Sequence, residues 1–239
     1  MSGHSHYSTI KRQKESNDAK KGRVFSKMAR EIAIAVKAGG SDPDSNYKLR
    51  IIIDKARSYN MPKSNIDRAI SSGIGGEVLE EITYEGFGPG GIGVIVKVAT
   101  DNKNRTAQGM KNIFERVGGS LAGPGAVSFN FENKGFILVE KNANSEEQIL
   151  KLIDLGIEDI EEISDGIEVY VLPDKLSETR KKIEELGFTI KETELFMKPI
   201  TYQKLEGNDV IKAIDFLDLL DDQDDVQSVY SNLDIPSEQ

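Results

Sequence analysis

One position constrains the fold of this chain more than any other. At the glycine-rich stretch Gly73-Ile74-Gly75-Gly76 the hydrophobic period changes. Before it, apolar residues recur three, four and seven apart, which lines one face of a helix. After it they alternate, which lines one face of a strand. A chain that switches period once cannot be a single helical bundle or a single barrel. The switch predicts a helical N-terminal segment followed by mixed α and β structure.

Within the helical segment, Phe25, Met28, Ile32 and Val36 fall on one arc of a helix from about Lys20 to Ala38. Gly39-Gly40 stop it, and Ser41-Asp42-Pro43-Asp44 reads as a turn with N-caps for the next helix. That helix runs to about Tyr59, with Leu49, Ile52, Ile53 and Ala56 as its core stripe. Asn60-Met61-Pro62-Lys63 is a tight break. Ser64 is the expected cap of a third helix, with Asp67 three residues on. Gly73 is the expected end, and residues 73–76 read as a linker.

Beyond residue 76, Glu81–Phe87 and Ile92–Ala99 read as a hairpin around Gly88-Pro89-Gly90-Gly91. A helix follows over Asn104–Val117, then strands near Leu121 and over Val127–Phe131. The next stretch has the order β-α-β-β-α-β: strand Gly135–Lys141, helix Ser145–Leu155, strands Ile160–Ile163 and Glu168–Leu172, helix Asp174–Leu186, strand Phe188–Met197. That is the split-βαβ, or ferredoxin-like, order. A helix over Gly207–Leu220 and a strand over Val226–Tyr230 close the chain. The fold class is therefore α+β multidomain: an N-terminal three-helix domain and two α+β (ferredoxin-like) domains, the third inserted in the second. The expected boundaries are 1–76, 77–131 plus 205–239, and 132–204.

Charge is divided along the same line. Residues 1–76 hold 15 Lys+Arg against 7 Asp+Glu, an excess of eight positive charges. The remaining 16 Lys+Arg face 33 Asp+Glu, an excess of 17 negative charges. A cationic end can dock on phosphates while an acidic body limits indiscriminate adhesion. Lys11, Arg12, Lys14, Lys20, Lys21, Arg23, Lys27 and Arg30 lie within 30 residues that contain only Glu15 and Asp18 as acids. At ~100° per residue, Lys20, Arg23, Lys27 and Arg30 share one helix face, opposite Phe25, Met28 and Ile32. Such a face can lie along phosphates; the competing reading is a solvated charged surface. Lys63 and the turn carrying Lys103 and Arg105 are weaker candidates. In Asp101-Asn102-Lys103-Asn104-Arg105-Thr106, Asn102 or Asn104 reads as a helix N-cap, and the amides there offer a phosphate site.

Other chemistries are poorly supplied. There is no cysteine, which removes disulfides and thiolate nucleophiles and fits an intracellular protein. His4 and His6 are the only histidines, too few for a zinc site without cysteine. Gly86-Phe87-Gly88-Pro89-Gly90-Gly91 formally matches G-x-G-x-x-G, but a strand rather than a helix is expected after it, so it reads as a hairpin turn. No phosphate-binding P-loop and no calcium loop is present. Acidic runs such as Glu158-Asp159-Glu161-Glu162 and Asp221-Asp222-Asp224-Asp225 read as solvated surface. No stretch of ~18 apolar residues and no apolar leader is present. These features predict a cytoplasmic protein that is not an enzyme and has no metal, cofactor, membrane or small-molecule partner. A carboxylate-based enzyme acting on nucleic acid and a protein–protein adaptor are the alternatives.

Short motifs then appear in a recognisable order: Gly3-His4-Ser5, Ile10-Lys11, Asp18-Ala19-Lys20, Arg30-Glu31-Ile32, Gly39-Gly40, Asp42-Pro43, Asn60-Met61-Pro62-Lys63, Tyr84-Glu85-Gly86, Gly88-Pro89-Gly90-Gly91, Thr100-Asp101-Asn102, Asn104-Arg105-Thr106 and Gly118-Gly119. The chain resembles the YebC/PmpR family, which includes the mitochondrial translational activator of cytochrome oxidase subunit one. Where that family commonly has Lys-Trp after Gly-His-Ser, this chain has His6-Tyr7, and Tyr7 keeps a stacking surface. The resemblance implies three domains, the third inserted in the second, and no cofactor. It also implies one of two activities: DNA-binding transcriptional regulation, or action on the ribosome (ribosomal RNA or tRNA) that eases translation through proline-rich stalls.

Overall fold

The computed structural model describes residues 21–75, 79–157 and 159–234. They form two compact units, one of residues 21–132 with 199–234 and the other of residues 133–198. The class is the expected one, N-terminal helices followed by two four-stranded sheets carrying helices.

In the first unit, three helices come first: α1 (Lys21–Gly39), α2 (Tyr47–Ser58) and α3 (Lys63–Gly75). Val24, Met28, Ile32, Ala35 and Val36 of α1 meet Leu49, Ile52, Ile53 and Ala56 of α2 and Ile66 and Ala69 of α3 in one apolar core. Phe25 is only partly buried, and Val24 takes the place expected for it. From Ile32 to Val36 five consecutive residues are buried, so this part of α1 is covered all round rather than along one stripe.

The turns explain where these helices stop. Gly40, at φ +87°, donates its N–H to the Val36 carbonyl at 2.8 Å. Asn46, rather than a residue of the expected stretch Ser41–Asp44, caps α2: its Oδ1 accepts from Leu49 N–H at 3.1 Å, and its Nδ2 donates to the carbonyls of Ala35 and Gly40, both at 2.8 Å. At the far end Asn60 takes φ +60° and donates to Arg57, while Met61 N–H donates to Ala56 at 2.9 Å. That is a Schellman closure with a buried apolar residue behind it.

Two expectations about α3 need correcting. Helix α3 starts at Lys63, with the Pro62 carbonyl accepting from Asn65 and Ile66, so Ser64 lies inside the first turn rather than capping it. Gly73 does not end α3, which continues to Gly75. A Cβ on Gly73 would lie 2.7 Å from the Ala33 carbonyl oxygen and 2.8 Å from Val36 Cβ. Gly73 is thus where α1 and α3 touch backbone to backbone.

The sheet of this unit has the order β3-β1-β2-β8: β1 (Glu80–Phe87), β2 (Gly93–Thr100), β3 (Ser120–Ala122) and β8 (Val226–Ser231). Strands β1 and β2 pair antiparallel from Glu80↔Thr100 to Phe87↔Gly93. The glycine-rich segment is their turn, as expected. Its glycines are needed because a Cβ on Gly86 would strike Phe114, one on Gly88 would strike Phe216, and one on Gly90 would strike Leu205, each at 2.5 Å. Phe114, from helix α4 (Lys103–Arg116), and Phe216, from helix α7 (Asn208–Asp221), meet edge to face with centroids 5.0 Å apart. The run Val127–Phe131 is not one strand. Residues 128–130 form a 3-10 turn, and strand β4 (Phe131–Val139) begins after it.

In the second unit, β4, α5 (Ser145–Ile153), β5 (Asp159–Ile163), β6 (Gly166–Val171), α6 (Leu176–Glu185) and β7 (Ile190–Pro199) give the sheet order β5-β6-β4-β7. This is the arrangement a split βαβ requires. All six residues of β6 are buried, as in the centre of a covered sheet. Gly135 lies within β4, where a Cβ would come 2.9 Å from Leu176 and Val171. Among the described residues no helix is long and apolar enough to cross a membrane.

Candidate nucleic-acid interface

Arg23, Lys27 and Arg30 do share one face of α1, but that face is occupied. It meets the turn between α7 and β8. Arg23 pairs with Asp222 at 3.2 Å and also donates to the Asp222 carbonyl. Lys27 pairs with Asp221 Oδ1 at 2.9 Å and donates to the Asp221 carbonyl. Arg30 donates to the Asp224 carbonyl and lies 3.6 Å from Asp225 Oδ1.

The physical reason lies at the end of α7. The last carbonyls of a helix have no partner within it and carry its negative dipole end. Helix α7 has no basic residue in its last turn. The cations of α1 supply, from a distant part of the chain, what a local lysine or arginine would otherwise provide.

Asp225 is the centre of the arrangement. Its Oδ2 accepts from Thr106 Oγ1 at 2.6 Å, from Thr100 Oγ1 at 3.3 Å and from Arg105 at 3.2 Å. Burial pushes the Asp225 carboxyl up. The hydrogen bonds from Thr106 and Arg105, with the charges of Arg105 and Arg30, outweigh that and hold it below the ordinary carboxylate range. Arg105 is held above the usual guanidinium value by its hydrogen bonds to Asp225 and Asp101. Nearby, burial and the negative charge of Asp225 raise the Tyr84 phenol.

The turn before α4 is built around this point. Asn102 is the N-cap, accepting from Arg105 N–H at 3.1 Å, and Thr100 Oγ1 accepts from Asn102 N–H at 2.9 Å. Arg105 reaches back to Asp101 at 2.7 Å, and Lys103 pairs with Glu80. The cations expected to hold a phosphate here are therefore already matched with carboxylates. Lys63 is exposed at the start of α3. Lys11, Arg12, Lys14 and Lys20, the side chain of Lys21, and His4 and His6 lie outside the described residues. Among the described residues no group of three His, Asp or Glu could hold a metal ion.

Two residues escaped the sequence reading. The run Asp221–Asp225 is not simply solvated surface: Asp225 has only 15% of its side chain exposed. The signal available was the spacing of Arg23, Lys27 and Arg30 against a cluster of acids of matching size. The other is Glu85, buried in β1. Its carboxylate accepts from the backbone N–H of Gly125 at 2.8 Å, Val127 at 2.8 Å and Ser128 at 2.9 Å. It fixes the loop that leads into β4.

Comparison with known proteins agrees with this architecture. A family model described as the TACO1/YebC protein N-terminal domain matches residues 5–76, and one described as the TACO1/YebC second and third domain matches residues 79–233. The chain is 44% identical to a probable transcriptional regulatory protein of Geobacillus kaustophilus, covering 98% of each. It is 45% identical to one of Bacillus licheniformis, covering 98% of this chain and all of the other. A crystal structure of a conserved hypothetical protein from Aquifex aeolicus superposes with a TM-score of 0.84 at 40% identity, covering 92% of this chain and 93% of that one.

Proposed function

Because the chain belongs to the TACO1/YebC family, we propose that it is a non-enzymatic, nucleic-acid-binding regulator of gene expression that acts at a nucleoprotein, the ribosome foremost. The regulatory role accords with the names of its relatives. The observation that carries the finer reading is the division of charge, a cationic residue range 1–76 joined to a strongly acidic remainder.

An acidic body disfavours lying along free duplex, where every phosphate repels it. Arg23, Lys27, Arg30, Lys103 and Arg105 already have carboxylate partners, so they add little to a featureless polyanion. The cations at 11–21 and Lys63 carry the first contact in this proposal. A site of defined shape offers them ribosomal RNA or tRNA phosphates, and offers the acidic units something other than phosphate. The reading is non-catalytic because the chain has no cysteine and only two histidines, both near its start. Domain boundaries at 76, 131 and 204, and a cytoplasmic place of action, belong to the same proposal. DNA-binding transcriptional control is the second reading, favoured by the names that the relatives carry.

Co-sedimentation with ribosomes, run beside gel shifts on duplex DNA over a salt series, separates the two. Binding through ~6 phosphate contacts weakens by ~10³-fold between ~50 and ~200 mM salt. Changing Lys11, Arg12, Lys14, Lys20 and Lys21 together to Gln should remove ribosome association. Intact association of that variant, or binding to DNA alone, would overturn the reading.

A further inference from the structure

We propose that the acidic turn Asp221–Asp225 is a built-in competitor for the cationic face of α1, so that a phosphate backbone competes with Asp222 and Asp221 for Arg23 and Lys27. This rests on the nucleic-acid reading above and gives that surface its regulation.

Along α1 the exposure of the acids falls from Asp222 through Asp221 to Asp225, while that of the cations is lowest at Lys27. Arg23 and Asp222, at the N-terminal end, keep 47% and 41% of their side chains exposed. Lys27 and Asp221 keep 14% and 24%. Arg30 meets Asp225, which Thr106 and Arg105 fix to α4. One end of the contact is thus open to exchange and the other is anchored. The open end is the one that leads in sequence to Lys21, Lys20, Lys14, Arg12 and Lys11. The pairs open to exchange are Arg23–Asp222 and, behind it, Lys27–Asp221.

The energetics allow exchange. The half-exposed Arg23–Asp222 pair contributes little, and with the more buried Lys27–Asp221 pair it fits a preference for the closed form of roughly threefold to tenfold. A polyanion overcomes that preference with its own contacts, while a single stray anion does not. The apparent affinity is lowered by the fraction of molecules whose face is open. The turn therefore acts as a threshold: it suppresses weak, non-specific polyanion binding and yields to a multivalent site.

The test is fluorescence anisotropy with the full chain and a labelled single-stranded RNA of ~20 nucleotides at ~50 mM salt. Asp221→Asn/Asp222→Asn should bind about threefold to tenfold more tightly than the parent. Asp222→Asn alone, at the more exposed of the two acids, should gain about twofold. Glu184→Gln/Glu185→Gln makes the same change in net charge elsewhere and should leave affinity unchanged. Adding Arg23→Gln/Lys27→Gln to the Asn pair should erase the gain. A gain no larger than that of the Glu184/Glu185 variant, or one that survives loss of Arg23 and Lys27, overturns the competition while leaving RNA binding by the parent intact. Absence of RNA binding by the parent and by every variant overturns both the competition and the reading it rests on.

Discussion

Glu85 offers the sharpest test of how this fold is held. Its carboxylate is the shared acceptor for three backbone amides of the loop 125–128. In Glu85→Gln, the amide oxygen can keep the Oε2 position and accept from Val127 and Ser128, now without charge. The NH2 group then faces Gly125 N–H, donor against donor. Leaving that amide unpaired costs about 1–3 kcal/mol, and the loss of charge assistance weakens the two remaining bonds by roughly half. A total near 3 kcal/mol is expected. For a unit of this size that lowers Tm by about 6–12 °C.

The effect also has a pH signature. Burial pushes the Glu85 carboxyl up, but the hydrogen bonds from Gly125, Val127 and Ser128 outweigh it and hold it below the ordinary value. A depressed carboxylate contributes stability that is fully present above its unfolded pKa of about 4.3 and is lost as pH falls through the folded value. Scanning calorimetry of parent and variant at pH 7 and over a series down to pH 3 should show the gap close at the acid end. A gap under 1 °C at pH 7, or one unchanged down to pH 3, would refute the reasoning.

Two further substitutions probe the helical segment. Asn46→Ala removes a buried cap that also ties α2 to the carbonyls of Ala35 and Gly40; urea unfolding should show a loss of about 2–3 kcal/mol. Gly73→Ala forces a methyl group against the Ala33 carbonyl and Val36, and the same assay should show a loss of about 1–3 kcal/mol despite alanine's better helix propensity.

Features built from neighbouring residues were legible in the sequence. A cap at Asn102 or Asn104, which the structure resolves as Asn102, Gly39-Gly40 as a stop and the Gly88–Gly91 hairpin each depend on a few adjacent residues, and the split-βαβ order follows from the succession of elements. Features that depend on distant backbone were not. Gly73 reads as a helix end because glycine usually is one, and only the close approach of α1 reveals its role. Val127-Phe129-Phe131 alternates like a strand, yet the amides of Val127 and Ser128 are taken by Glu85, forty residues away. Arg23, Lys27 and Arg30 share a face of α1 as their spacing predicts, but the acids that face them lie almost two hundred residues further on, beyond the reach of any periodicity.

The hydrogen bond from Ile200 N–H to the Asn130 carbonyl, at 2.8 Å, bears on the order in which the protein forms. Strand β8, which completes the first sheet, and the turn that meets α1 are made only after residues 133–198 have been synthesised. Their partners β2 and α1 must wait through that excursion. The excursion enters on β4 and leaves on β7, and those strands are neighbours in one sheet. Once that unit has folded, its two ends are held side by side, and the entropy of closing the long loop has already been met. The first unit then closes across a short gap, so its late-arriving strand docks much as if the insertion were absent.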